Sequence, residues 1–117
     1  MEKGIFTVVF TGDILFDSII SYLDDFKNMQ GLPKNLKLLY NFTNANFHLD
    51  PVKIKIISDK ATDVTSNYTS IRTAFVVAEP KVTAYSMLFS LMNNTEKTSR
   101  EIFSTLSAAI DWLNGHR

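Results

Sequence analysis

Apolar positions along this chain switch between period two and period 3.6 four times. From Ile5 to Phe10 both alternate sets are apolar, Ile5/Val9 and Phe6/Val8/Phe10, which predicts a central strand near 5–10 covered on both faces. Thr11-Gly12-Asp13 breaks the run. Asp13 is placed to cap, and Leu15, Ile19, Tyr22, Leu23 and Phe26 recur at helical spacing, predicting a helix near 13–29. Gly31 followed by Pro33 is a helix stop signal. Leu36, Leu38, Tyr40 and Phe42 then line one face of a strand near 36–42, and 43–49 reads as a loop.

Asp50-Pro51 has the form of an N-cap followed by proline at the first helical position, where a missing N–H costs nothing. Beyond it Val52-Lys53-Ile54-Lys55-Ile56 alternates like a strand, whereas Ile54, Ile57, Ala61, Val64 and Tyr68 form a longer helical stripe. The cap and the longer pattern favour a helix near 51–68. Thr73 to Ala78 is nearly all apolar, as in a buried parallel strand near 73–78. Glu79-Pro80 repeats the entry signal for a helix near 81–93, carried by Ala84, Met87, Leu88, Leu91 and Met92 and closed by Asn93-Asn94. A strand near 101–104 runs through a Ser/Thr cap into a helix near 105–114, whose Leu106, Ala109, Ile110 and Leu113 make one apolar stripe, with Trp112 beside it. Four strands alternating with four helices imply α/β architecture, with a mostly parallel four-stranded sheet joined by right-handed crossovers.

Composition narrows the chemistry. At 117 residues, with 45% hydrophobic and 21% charged, the chain is one domain of ordinary globular composition across 1–117. Formal net charge is zero and the basic residues are scattered among acids, so nucleic acid is not an expected partner. The absence of cysteine removes disulfides, thiolate zinc sites and thiol nucleophiles. No run approaches the roughly 18 apolar residues of a membrane span, and the first residues lack a signal-peptide pattern, so a cytoplasmic location is expected. The Asn-x-Thr triplets at Asn41, Asn67 and Asn93 matter only in a secreted chain.

Three stretches, in order and spacing, resemble the SpoIIAA-like domains of the STAS superfamily (sulfate transporter and anti-sigma factor antagonist). They are Phe10-Thr11-Gly12-Asp13, then Leu32-Pro33-Lys34-Asn35-Leu36-Lys37-Leu38-Leu39 ahead of Asn41-Phe42-Thr43-Asn44-Ala45-Asn46-Phe47, and finally Phe103-Ser104-Thr105-Leu106-Ser107-Ala108-Ala109-Ile110-Asp111-Trp112-Leu113. The resemblance covers nearly the whole chain and implies a β/α superhelix with successive strands as neighbours. It also implies an outer antiparallel strand ahead of the first, where this chain has only Met1-Glu2-Lys3-Gly4. In anti-sigma antagonists an Asp-Ser pair at a helix N-terminus is the phosphorylation switch. Laid on that motif, the serine falls at or near Asp50, either a locked phosphate-like charge or a plain helix cap.

Candidate chemistry is sparse. His48, near Asn44, Asn46 and Asp50 in the expected loop, could exchange a proton at neutral pH, but it has no adjacent nucleophile. His116 lies next to the C-terminus. Asp13 and Asp17 complement a helix dipole, and Asp24 and Asp25 face solvent, which accounts for these carboxylates without a metal. No cofactor is expected. Asn44, Asn46, Phe47, His48 and Asp50 are therefore the interaction-loop candidates, and Phe16, Met29, Phe89 and Met92 the apolar-patch candidates. The leading expectation is a non-catalytic protein-interaction or regulatory module of STAS type without the phosphorylatable serine. The alternative is a small binder of an apolar, lipid-like ligand, prompted by the aromatic surplus, with an enzyme third. A homodimer through the first strand or the third helix, around Phe89 and Met92, is expected to protect the sheet edge.

Overall fold

A computed structural model describes residues 4–92 and 96–115. The chain runs β1 (Ile5–Leu15), α1 (Phe16–Lys27), β2 (Asn35–His48), a 3₁₀ turn (Pro51–Lys53), α2 (Ile54–Val64), β3 (Ser70–Val76), α3 (Pro80–Ser90), β4 (Thr98–Phe103) and α4 (Leu106–Leu113). The sheet is parallel throughout, in the order β1-β2-β3-β4. The α/β class and consecutive strand order match the sequence expectation. The crossover helices α1, α2 and α3 pack side by side on one face, and α4 packs across β2, β3 and β4 on the other.

The boundaries differ from the sequence pattern most at the two long strands. β1 does not end at Phe10, and Asp13 does not cap α1. Pairing continues through Leu15↔His48, so the helix starts at Phe16 with no side-chain cap. Residues 43–48 likewise belong to β2 rather than to a loop. An extra residue interrupts the register, with Val9 opposite Asn41 but Thr11 opposite Asn44. Asn41 Oδ1 accepts the backbone N–H of Thr43 at 3.0 Å and its hydroxyl at 2.6 Å, which fixes this bulge. The bulge flips the pleat: Leu38 and Phe42 are buried at even positions, Ala45, Phe47 and Leu49 at odd ones. Opposite it, Gly12 holds a φ of 77°, a left-handed value that any side chain would strain.

β1 is an edge strand rather than a central one, and Val9 is 61% exposed. The second helix is shorter than 51–68 because Thr65 accepts the closing role: its hydroxyl donates to the Ala61 carbonyl at 2.7 Å. β3 starts earlier than 73 and stops at Val76, and β4 starts earlier than 101. α3 ends at Ser90 rather than near 93; Asn93-Asn94, the first residues Met1 to Lys3 and His116 lie outside the described residues. At α4 the expected cap is present, with Thr105 Oγ1 accepting the Ala108 N–H at 3.2 Å. Its buried stripe is Ala109 and Leu113; Ile110 is half-buried, and Leu106 is exposed instead of docked.

Candidate functional site

The expected interaction loop proves to be the outward face of the β1–β2 ribbon, which continues past the last β2–β3 pair, Asn41↔Val76. There Asp13 Oδ1 lies 2.9 Å from His48 Nε2, and Asn46 Nδ2 lies 3.3 Å from the same nitrogen. His48 pairs with Asp13 across the strands and not with Asp50. Asp50 instead accepts the Val52 N–H at 3.1 Å as the cap of the 3₁₀ turn. Asn44 is exposed, whereas Phe47 points the other way and is buried in the core. Side-chain exposures of 46% for His48 and 75% for Asp13 leave the pair in water, where an ion pair is worth little. The surface there is open, with no concavity among the described residues to hold a reacting molecule against the pair. Among the described residues no group of three His, Cys, Asp or Glu is arranged to hold a metal.

The apolar-patch candidates do not form one patch. Phe16 is half-buried beneath the Lys53 ammonium, 4.5 Å from its ring centroid, and Met29 sits exposed beyond α1. Phe89 and Met92 pack against the main core, while Met87 and Leu88 are the exposed apolar residues of α3.

The more distinctive feature lies between the sheet and α2. On this face the rings of Tyr40, Phe42 and Phe75 lie nearly parallel, 5.8–6.2 Å apart, with Phe89 edge-on to Phe75 at 5.7 Å. α2 packs chiefly on α1 and α3 rather than on the sheet backbone, so these rings must span the gap. Stiff planar groups fill such a gap incompletely. A cavity of about 90 Å³ remains, walled by Phe10, Tyr40, Phe42, Phe75, Ile57 and Phe89 among others. A second, of about 130 Å³, adjoins it through the shared residues Leu23, Tyr40, Ala61 and Phe89.

Polar groups in this space are few and specific. Ser86, 3% exposed, lines the first cavity, and its hydroxyl has no hydrogen-bond partner among the described residues. The Tyr22 and Tyr40 hydroxyls bond to each other at 2.9 Å. Burial pushes Tyr22 up to about 12 and Tyr40 well above the usual phenol value, so both stay protonated. Arg100 lines the second cavity, stacked 4.5 Å over Phe89, and its Nη1 donates to the carbonyls of Phe89 and Met92 at the end of α3. Burial lowers the Arg100 pKa, and the nearby Tyr40 acts against that shift.

None of Tyr22, Tyr40, Ser86 or Arg100 stood out in the sequence as a site residue. Arg100 carried a usable signal, since it alternates with Thr98 and Ile102 on an otherwise inward face of β4. No family model, curated protein or solved structure matches this chain. Among the described residues no helix is long and apolar enough to cross a membrane.

Proposed function

We propose that this chain is a non-catalytic binding module for a small apolar ligand held between α2 and the sheet. The observation that carries the reading is the aromatic-walled cavity with one buried, unpartnered hydroxyl, Ser86. Most buried polar groups in folded proteins have a partner, and an exception set in a cavity wall calls for one. Apolar walls with a few placed polar groups are the usual make-up of a small-molecule site. Titration of the ¹⁵N-labelled protein with 1-octanol tests the reading. Saturable one-to-one shifts in the residues around Phe42, Phe75 and Ser86 are expected. A spectrum unchanged up to the solubility of the alcohol contradicts it.

A second reading, a cytoplasmic regulatory module of STAS type that acts through a protein partner or a second copy, is favoured by the outer edge of β1. Among the described residues that strand pairs only with β2 over Ile5–Leu15, which leaves a template for another strand. The carboxylate at Asp50, where the family carries its phosphorylatable serine, is consistent with a module that does not switch. Light scattering at about 100 µM, a concentration far above the Kd of a stable interface, separates monomer from dimer. A monomeric mass counts against self-association.

A further inference from the structure

We propose that the ligand is a small amphiphilic anion, a carboxylate of medium chain length. Its chain would lie among the rings beneath α2 and its carboxylate would face Arg100 and the Tyr22–Tyr40 hydroxyl pair. This rests on the apolar-ligand reading above and assigns it a polar end.

The two adjoining cavities differ in chemistry. The walls of the first are aromatic and aliphatic apart from Ser86 and the tyrosine hydroxyls, whereas those of the second include Thr62, Thr73, Lys97 and Arg100. The described lining of both spaces contains two cations and no carboxylate. Among the described residues the ion pairs are His48–Asp13, Lys55–Asp59 and Lys60–Asp24, so neither cation is neutralised by an acid. Carbonyl oxygens serve them instead. Arg100 donates to Phe89 and Met92, and Lys97 Nζ donates to the carbonyls of Ser66 and Tyr68, each at 3.1 Å. Carbonyl dipoles solvate these partly buried cations but leave their net charge uncompensated, and a bound anion offsets part of that cost.

The wall that the cavities share adds a donor. Tyr40 borders both spaces, and its hydroxyl bonds that of Tyr22. Two phenols joined by one hydrogen bond hold two protons and spend one between them, whichever donates. When Tyr22 is the donor, the Tyr40 proton is left for an acceptor in the second space, which Tyr40 and Arg100 both line. A guanidinium and a phenol that line one space bind a carboxylate better than an alcohol or an amine. As for size, benzene fills a cavity of about 150 Å³, so the two spaces together suit a chain of about six to eight carbons.

Calorimetric titration of the full chain with octanoate and with 1-octanol at pH 7 tests the assignment. Both should bind at one site, octanoate about tenfold more tightly, as one added charge-assisted contact gives. Arg100→Gln should abolish that preference while changing octanol affinity by less than about twofold. Should Arg100→Gln fail to fold, Tyr40→Phe keeps the ring, removes the hydroxyl that borders both spaces and should weaken octanoate alone, by about threefold. Octanoate binding no tighter than octanol overturns the anion assignment and leaves the apolar-ligand reading standing. Binding of neither overturns both.

Discussion

On the α4 side of the sheet, Ala74, Ala109 and Leu113 have no exposed surface, and the helix lies directly across β2, β3 and β4. On the α2 side, rings from Phe10, Tyr40, Phe42, Phe75 and Phe89 stand among aliphatic side chains, the helix rests on its neighbours α1 and α3, and two cavities remain beneath it. Small and branched residues let backbone approach backbone, and the layer closes. Large flat residues hold the layers apart and leave gaps between their edges. The same sheet thus presents one face built for stability and one with room for a guest. Arg72 completes the tight face: its Nη2 donates to the Trp112 carbonyl at 2.5 Å, with the guanidinium 4.3 Å over that ring.

The largest expected effect lies on the closed face. Leu113→Ala should lower stability by about 3 to 5 kcal/mol in urea unfolding, because nothing around it can collapse into the space. Ile57→Ala on the open face should cost about 2 kcal/mol, since a side chain beside a void has fewer contacts to lose. Equal losses at the two positions would break the comparison.

Next in size is an alkaline effect confined to the open face. Tyr22 has its folded pKa raised from 10.0 to about 12 by burial. A raised value means the folded state holds its proton more tightly, so the contribution is whole below pH 10 and is lost as pH climbs toward 12. The difference in stability between wild type and Tyr22→Phe should therefore change by on the order of 2 kcal/mol across that window. A pH-independent difference would place the hydroxyl in water.

Ser86→Ala should raise the stability of the ligand-free protein by about 1 kcal/mol, because it removes a buried hydroxyl that has no partner. A loss of stability would mean that the hydroxyl is already bonded. Smallest of all is Leu106→Ala, expected to lie within about 0.5 kcal/mol of wild type. Although it falls on the apolar stripe of α4, Leu106 is 46% exposed.

Leu106 also shows where sequence periodicity stops being informative. The stripe through Leu106, Ala109, Ile110 and Leu113 identified the helix and its docking side, but helix periodicity does not say where along its length the sheet begins. Element type and order were legible throughout, because four switches of period mark four strand–helix units. The ends of β1 and β2 were not. One extra residue near Asn41 inverts the in-out pattern, so Ala45 and Phe47, which are core, fall out of step with Leu38 and Phe42, and 43–49 reads as a loop. An alternation restarting at Ala45, Phe47 and Leu49 was present and could have extended the strand. Asp13 resembled a cap only because its pairing opposite Asn46 is invisible locally. The cavity was legible only as an aromatic surplus. Its shape depends on how far α2 stands from the sheet, which is set by the packing of three helices and not by any one of them.

Diffraction from crystals pressurised with xenon compares the two faces directly, since xenon enters dry apolar cavities whatever the natural ligand. The expected result is xenon density beneath α2, bordered by Phe42, Phe75 and Phe89, with none between the sheet and α4. Absence of xenon beneath α2, or equal occupancy on both faces, would contradict a ligand space on one side of this sheet.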